Sequence, residues 1–380
     1  MKLRLILVCL FVASAAYGQT TTNPDISAIG DFRIFSHDDE SRATEVEELN
    51  IADPELELNV GGYLNPYARA DAVVGWHGEH SAEIEELYAT VERGLPLSAG
   101  LRVGKYLLEF GRLNPVHPHA YSFIKRPLPH EAFFGEEGLV DVAVRPSFLL
   151  PTGDAYTEVM AGLLKGDIFS GHAHEHEEHE HEEGEGEAHE VEEEHQKSLG
   201  FFGRVTSSLA VSEASELSLG VSTVNAVHEM HEHEDEPVKE LRTWLIGGDV
   251  KYKYRPNRNT ALQIEAEGIV RTSEQAEGMD DLTSYGAYGY IDYLFRQQYN
   301  IGGIFEYTKL EEMHEHEGED HEVHKTDTWR AGLFIGWAPI EETSLVRLAG
   351  HWTEPDEGDG FWELTMQLVV SLGPHKPHNF

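Results

Sequence analysis

Apolar and polar residues alternate through most of the sequence after residue 54, in segments of about 10 to 15 residues. Because successive side chains of a β-strand point to opposite faces, each segment predicts a strand with one apolar and one mostly polar face. The pattern recurs at residues 244–254, 262–270, 329–337 and 362–372. A soluble β-sandwich also alternates, so this pattern alone does not separate a sandwich from a membrane barrel.

The connections between the segments discriminate better, because they alternate strictly between long polar loops and tight turns. Outer-membrane barrels have this asymmetry, with long extracellular loops and short periplasmic turns, whereas a sandwich has no reason to sort its loops by parity. The long loops lie at about 77–82, 111–138, 170–197, 228–239, 272–281, 312–325 and 353–360; the tight turns lie near 64–66, 95–99, 151–154, 212–215, 256–259, 298–300 and 339–342.

Fourteen strands can be counted from Tyr67 to Gly373, and two more upstream, at 26–35 and 55–63, make sixteen. Fourteen is the alternative, because the acidic stretch 37–49 obscures the N-terminal pairings. We predict an all-β fold, a transmembrane antiparallel β-barrel of about sixteen strands, the size at which the lumen is water-filled. The aromatic residues predicted to form girdles at the lipid interfaces are Tyr252, Tyr254, Tyr285, Tyr288, Tyr290, Tyr293, Tyr307, Trp329 and Trp337.

The first 18 residues have the pattern of a secretory signal peptide. Lys2 and Arg4 precede a short apolar run, and a small-residue site precedes Gln19. The single cysteine, Cys9, lies in this segment and lacks the small preceding residue expected of a lipidated cysteine. We therefore expect residues 19–380 to form a single barrel domain without disulfides.

The chain has 69 acidic and 28 basic residues and a formal net charge of −41. Such a surface repels nucleic acid and attracts cations. The predicted partners are therefore outer-membrane lipid and lipopolysaccharide, metal ions, further copies of the chain in a homotrimer, and the barrel-assembly machinery, for which the terminal Phe380 is a weak signal. The predicted location is the outer membrane of a Gram-negative bacterium.

Three stretches resemble a known family: NPDISAIGDFRIFS, LELNVGGYLNPYARADAVVGW, and the segment containing FGRLNPVHPHAYSF and FFGEEGL. They are similar to porin-like outer-membrane proteins related to the phosphate-selective porins, and most of all to the histidine-rich branch often labelled zinc-regulated TonB-dependent outer-membrane receptor. The motifs cover about residues 23–152, and strand rhythm and loop histidines extend the resemblance over the remainder. The resemblance implies a porin-like barrel.

Two departures limit what the resemblance implies. Phosphate-selective porins use basic residues along the pore, whereas acidic residues predominate here, so phosphate selectivity is not carried over. A TonB-dependent receptor has 22 strands and a plugged lumen, and this chain is too short for both.

Residues 111–138 differ from the other long connections because they are aromatic and rich in proline, which fixes φ and favours one packed conformation. In a sixteen-stranded barrel this is the third extracellular loop, which general porins fold into the lumen as a constriction. The alternative is a packed loop that seals the barrel mouth. The candidate constriction residues are His117, His119, Lys125, Arg126, His130, Glu136 and Glu137.

Three connections, at about 171–195, 228–236 and 313–324, are tracts of histidine and glutamate, hereafter the His/Glu tracts. By parity all three face the cell exterior. Imidazole and carboxylate ligands suit zinc, copper, nickel and cobalt, but no tract has the His-Glu-x-x-His pattern of a zinc protease. The alternative is an inert low-complexity loop. The candidate metal ligands are His172, His174, His176, His179, His181, His189, His195, His228, His231, His233, His314, His316, His321 and His324.

Together these patterns predict an outer-membrane channel for divalent transition-metal ions, zinc above nickel, copper or cobalt, with no obligatory cofactor. The His/Glu tracts would concentrate ions at the mouth, acidic lumen residues would favour cations, and capture should fail as the pH falls through ~6.5. The alternatives are an energy-coupled receptor and a surface metal buffer without conduction. No serine or carboxylate stands beside a plausible base, so an enzyme is not predicted.

Overall fold

The computed structural model describes residues 24–78, 81–166, 168, 198–230, 239–275, 279–315, 321–340 and 343–373. The predicted signal peptide, Phe380 and most of the His/Glu tracts lie outside these ranges. Among the described residues, no helix is both long and apolar enough to cross a membrane.

The described secondary structure is almost entirely β. The helical segments are α1 (Leu128–Phe134) and the 3₁₀ turns Pro96–Ser98 and Pro118–Ala120. The strands are β1 (Asp25–His37), β2 (Asn50–Ile51), β3 (Glu55–Asn65), β4 (Ala68–His77), β5 (Glu83–Val91), β6 (Ala99–Leu107), β7 (Val140–Thr152), β8 (Ala155–Leu164), β9 (Gly200–Ser212), β10 (Ser215–Met230), β11 (Lys239–Asn257), β12 (Thr260–Ser273), β13 (Leu282–Phe295), β14 (Tyr299–Glu315), β15 (His321–Ile340), β16 (Ser344–Pro355) and β17 (Phe361–Leu372).

The strands close into one antiparallel barrel. From β3 to β17 each strand pairs with the next along the chain, and β1 closes the sheet between β17 and β3. In this closure Phe32 lies opposite Leu368, and Ala28 lies opposite Leu58. The two-residue β2 pairs with β1, so the described residues form a barrel of sixteen strands plus this short bridge. The predicted sixteen strands are confirmed, and the fallback of fourteen is wrong.

Most connections sort by length between the two ends of the barrel, as the sequence predicts. One end has short turns, such as those at 153–154, 213–214 and 258–259, and the other end has the long connections. The exception is 92–98 on the turn side, which is longer than 78–82 and 356–360 at the other end. The prediction was wrong in placing loop throughout 312–325, because β14 continues to Glu315 and β15 starts at His321. The ladder of backbone hydrogen bonds needs no apolar side chain, so it extends beyond the apolar alternation.

Side chains alternate between the outer face and the lumen. In β15, Leu333 and Ile335 are exposed on the outer face, whereas Arg330 and Phe334 are buried inside. Trp329 and Trp337 mark the ends of this outer apolar stretch, ~27 Å apart along the strand at ~3.4 Å per residue. A strand tilt of ~35–45° reduces that spacing to ~19–22 Å across the barrel wall, somewhat less than the ~25 Å apolar band of outer-membrane barrels.

Two of the predicted girdle residues do not face lipid. Tyr288 and Tyr290 are buried on the lumen side of β13, where their hydroxyls donate to Glu267 Oε2 at 3.2 Å and Glu265 Oε2 at 3.3 Å. They share the parity of Asp292, which also faces inward, whereas Tyr285 and Tyr293 have the opposite parity and are exposed. The girdle prediction was therefore wrong for these two residues.

The buried apolar core lies inside the barrel, where the connection between β6 and β7 packs on the wall. We call this connection, residues 108–139, the inserted loop. Its Leu108 and Phe110 pack with residues of β9, β10 and β11 in one cluster. In a second cluster, Tyr121, Phe123 and Ile124 pack with residues of β13, β14 and β15. The loop thus supplies a core inside the barrel that the single-layered wall cannot build alone.

Candidate constriction and its histidine–carboxylate cluster

The inserted loop is a compact unit with a closed neck. Asn114 is fully buried, and its Nδ2 donates to Leu108 O at 2.8 Å and to Leu139 O at 3.0 Å. Its Oδ1 accepts from Leu139 N at 2.8 Å. One side chain thus ties the two ends of the loop together. Asn114 was not among the predicted functional residues, and its only signal in the sequence is an amide in an apolar, proline-rich segment.

Two buried arginines of the wall hold backbone carbonyls of the loop. Arg330 donates to Arg126 O at 2.5 Å, makes a two-pronged pair with Glu306, and reaches Glu131 Oε2 at 3.2 Å. Leu128 N donates to Glu306 Oε2 at 2.7 Å. On β16, Arg347 donates to the carbonyls of His119 and Tyr121. Because buried carbonyls need a partner, these contacts fix the path of the loop.

Further polar contacts attach the loop across the lumen. Arg112 pairs with Asp249 at 2.7 Å, and Lys125 pairs with Glu363 at 2.7 Å. Burial lowers the pKa of Lys125, and the attraction of Glu363 offsets this only in part. The fully buried His130 places Nε2 at 3.2 Å from Glu267 Oε1. Through polar and aromatic contacts the loop therefore reaches β3, β5 and every strand from β10 to β17, in addition to its apolar packing on β9.

A histidine–carboxylate cluster forms where the loop meets β3 and β5. His117 Nδ1 lies 3.1 Å from Glu57 Oε2 and 3.3 Å from Glu85 Oε2, and its Nε2 lies 3.4 Å from Glu86 Oε2. His119 Nδ1 lies 3.3 Å from the same Glu57 oxygen. The two imidazole rings stack with centroids 5.9 Å apart. The intervening Pro118 fixes φ and starts the 3₁₀ turn that brings both rings to one side.

A β-bulge brings two adjacent carboxylates to the cluster. Val73 pairs with Glu86 and Val74 pairs with Ile84, so Glu85 is an extra residue in β5. In a regular strand Glu85 and Glu86 would point to opposite faces, but the bulge turns both toward His117. The outward residues Ile84 and Leu87 are correspondingly three positions apart. The interruption of the apolar–polar alternation is visible in the sequence EIEEL, but the bulge was not predicted.

Gly75 of β4 makes room for these groups. It lies opposite Glu57 in the sheet, and a Cβ at this position would lie 1.8 Å from Glu85 Oε1 and 2.9 Å from His77 Nε2. His77 Nε2 is itself 2.8 Å from Glu85 Oε1. Glycine therefore leaves the space that the Glu85 carboxylate occupies.

The cluster favours either a proton or a metal ion between its groups. Burial lowers the pKa of His117, but the neighbouring carboxylates, Glu57 first, outweigh burial and raise that pKa well above its ordinary value. Among the described residues, no lysine or arginine forms an ion pair with Glu57, Glu85 or Glu86. A divalent cation would compensate the same carboxylates as a proton on imidazole does.

Four of the seven candidate constriction residues contact the wall through their side chains: His117, His119, Lys125 and His130. Arg126 contacts the wall through its backbone carbonyl. Glu136 and Glu137 are exposed and lie after α1, away from these contacts. Their roles remain predictions. The histidines of the first tract, together with His231, His233 and His316, lie outside the described residues, and for His228, His314 and His321 only the strand position is described. His324 Nε2 lies 3.2 Å from Glu357 Oε1.

The lumen wall has both signs of charge. Inward carboxylates pair with Arg33, Arg69, Arg145, Arg204 and Arg330, among others. Among the described buried side chains, acidic residues still outnumber arginines, eleven to five. The expectation that acidic lumen residues favour cations stays a prediction, although the three His/Glu tracts hold 22 of the 69 acidic residues.

The closed barrel, its sorted loops and its inserted loop define the porin class of fold. The anion-selective porin of Comamonas acidovorans is similar with a TM-score of 0.58, at 7% identity over 92% of this chain and 99% of that chain. A loop-deletion form of OmpT, an outer membrane protein of Vibrio cholerae, is similar with a TM-score of 0.57, at 7% identity over 92% and 99% of the two chains. At these identities the likeness shows the fold alone.

The comparisons of sequence give no family. No known family profile matches the chain. A protein of Aquifex aeolicus (strain VF5), described as uncharacterized, is 28% identical over 318 residues, which are 75% of this chain and 64% of that protein. The chain thus spans less than two thirds of the length of this relative.

Proposed function

We propose that this chain is an outer-membrane porin-like channel for divalent transition-metal ions, with zinc as the leading cargo. The supporting observation is the closed sixteen-stranded barrel with an apolar outer face and a loop anchored inside its lumen. The long connections, including the His/Glu tracts, would face the cell exterior, as in other outer-membrane barrels.

Metal selectivity would come from ligands and not from the net charge of the lumen. Because several inward carboxylates pair with arginines, the field that the acidic residues give along the path is weakened. Imidazole and carboxylate groups at the mouth and at the inserted loop would instead select ions that prefer nitrogen and oxygen ligands. Each site must bind weakly enough to release its ion inward.

A second candidate is a metal-binding barrel without conduction. The contacts of the inserted loop with β3, β5 and β10 to β17 favour it, because a loop so widely attached would obstruct the lumen. An energy-coupled receptor has less support, because the described barrel has sixteen strands and that class has 22. A homotrimer is also proposed, since OmpT of Vibrio cholerae has been solved in a trimer form.

Single-channel recording of the purified protein in planar bilayers tests the proposal. We expect discrete conductance steps whose size changes when micromolar zinc is added on the side of the long loops. A matched variant with the fourteen tract histidines replaced by asparagine should conduct equally without zinc but respond only at higher zinc concentrations. The absence of steps from the folded protein would reject the channel, and an unchanged zinc response would reject the collecting role of the tracts.

A further inference from the structure

Three ligand atoms converge beside the inserted loop. His117 Nδ1 and one carboxylate oxygen each of Glu57 and Glu85 all lie within 4.8 Å of one another. The two measured nitrogen-to-oxygen distances are 3.1 and 3.3 Å. In a tetrahedral zinc shell with bonds of ~2.1 Å, neighbouring ligand atoms are ~3.4 Å apart. The imidazole nitrogen therefore already stands at nearly the required separation from each carboxylate oxygen, and the two oxygens lie within 4.8 Å of each other.

We propose that Glu57, Glu85 and His117 bind one divalent transition-metal ion, which ties the inserted loop to β3 and β5. Water would complete the shell, since catalytic and labile zinc sites keep three protein ligands and an open position. This site deepens the metal function proposed above by giving it a ligand set inside the lumen. Binding at this site does not require that the barrel conduct.

The second nitrogen of His117 supports this assignment. Metal-bound histidines nearly always donate their other N–H to a carboxylate or carbonyl, which fixes the tautomer and the ring orientation. Here His117 Nε2 faces Glu86 Oε2 at 3.4 Å, and Glu86 is itself held by Leu107 N, which donates to its Oε1 at 2.9 Å. Glu86 would thus keep the hydrogen on Nε2 and leave Nδ1 for the metal ion, as a positioning residue.

Two local features of the wall place these ligands together. The bulge at Glu85 supplies a carboxylate that a regular strand would direct to lipid, and Gly75 supplies the space for it. The site is also reachable, because the side chains of Glu85 and His117 are 21% and 17% exposed. By contrast, His130 on the far side of the loop pairs with one carboxylate, Glu267, and both side chains are fully buried.

Metal titration of the full-length chain in detergent tests the proposal. The fourteen tract histidines are replaced by asparagine in every sample, so that the tracts do not mask a single lumen site. Cobalt serves as the probe, read by its d–d absorption, and zinc competes for the same site. We expect the parent to bind one cobalt ion per chain and both His117→Gln and Glu85→Gln to lose it.

Two further variants separate metal binding from a structural role. Glu86→Gln should keep one ion per chain but bind it about 10- to 100-fold more weakly. His130→Gln, the matched control, should bind as the parent does. Gel mobility before and after heating reports whether each variant forms the barrel, and if His117→Gln does not, Glu85→Gln and Glu86→Gln decide.

The proposal is overturned if His117→Gln and Glu85→Gln bind cobalt as the parent does, or if His130→Gln loses the ion equally. Failure of the channel gives a different result. A protein that binds one ion at this site but shows no conductance steps would contradict the channel and leave the metal site standing.

Discussion

The two flanks of the inserted loop are attached to the barrel by different chemistry. On the flank near α1, the Arg330 guanidinium is fully paired with Glu306 and with the carbonyl of Arg126. On the flank around Pro118, imidazoles meet Glu57 and Glu85 with no arginine or lysine paired to these carboxylates among the described residues. The Arg330 contacts are a permanent anchor. On the second flank Arg347 holds the carbonyls of His119 and Tyr121, but the imidazole–carboxylate contacts need a proton or a metal ion.

This difference indicates which flank of the inserted loop can respond to a change in pH or in metal concentration. A buried guanidinium keeps its charge at all physiological pH values, so the Arg330 flank cannot be switched. The His117 flank depends on what occupies the space between its ligands. If one part of the loop responds to zinc, we expect it to be this flank.

The largest effect is expected from breaking the permanent anchor. Arg330→Met leaves Glu306 buried at 1% exposure without its cation and removes the donor to Arg126 O. We expect the free energy of unfolding in lipid vesicles to fall by about 3–5 kcal/mol. The conductance of single channels should rise, because the loop loses its polar anchor on β15.

The double variant Arg330→Met with Glu306→Leu is the control for this anchor. It removes both charges, so no buried carboxylate is left unpaired, because Glu131 is 40% exposed. Part of the stability should return, although Leu128 N also loses its acceptor. The loop carbonyl would still lack its donor, so conductance should stay above that of the parent. Equal loss of stability in the single and double variants would contradict the role of charge pairing.

The next largest effect is expected on the stability that zinc gives to variants with and without His117. A ligand that binds the folded state alone stabilises it by about 2.7 kcal/mol at 100 times its dissociation constant. In the background without tract histidines, we expect this gain for the parent and for Arg330→Met, and its disappearance after chelation by EDTA. His117→Gln should show no gain. A gain in His117→Gln equal to that of the parent would assign the zinc effect elsewhere.

A smaller loss of stability is expected from a change at Asn114, in the neck of the inserted loop that joins both flanks to the barrel. Asn114→Ala leaves the buried Leu139 N–H without its acceptor, while Leu139 O keeps the hydrogen bond from Leu108 N. We expect a loss of about 1–3 kcal/mol in unfolding free energy. Zinc affinity should fall modestly as well, because the neck positions His117. An unchanged zinc affinity would show that the His117 flank is held independently of the neck.

The barrel itself was predictable because its determinants are local and repeated. Period-two alternation recurs in every strand segment, and the connections repeat their order of lengths along the chain. The alternation also fixes which face points outward, because a shift of one residue would turn the apolar face of a strand into the lumen. The girdle errors at Tyr288 and Tyr290 came from treating aromatic residues as a group, although their parity with Asp292 places them inward.

The site was harder to predict because its residues are distant in sequence and depend on a local irregularity. His117 and His119 were recognised as candidates, but their partners Glu57, Glu85 and Glu86 belong to two other strands. The pairing follows from how the loop folds across the lumen, which residue types alone do not specify. The bulge was the available signal, since Glu85 and Glu86 interrupt the alternation of β5.

The variant that should change stability least gives the most specific test of the His117 flank. Gly75→Ala adds a methyl group that would lie 1.8 Å from Glu85 Oε1, the end of a flexible side chain. The carboxylate can rotate away at little cost, so we expect less than about 1 kcal/mol of change in unfolding free energy without zinc. Every proposed ligand is still present, yet Glu85 no longer stands beside His117, so cobalt affinity should fall at least tenfold.

Gly350→Ala, where the nearest atom to an added Cβ is 3.8 Å away, is the matched control and should leave affinity unchanged. Parent-like affinity in Gly75→Ala would show that metal binding does not depend on the space left at Gly75, and so would count against Glu85 as a ligand.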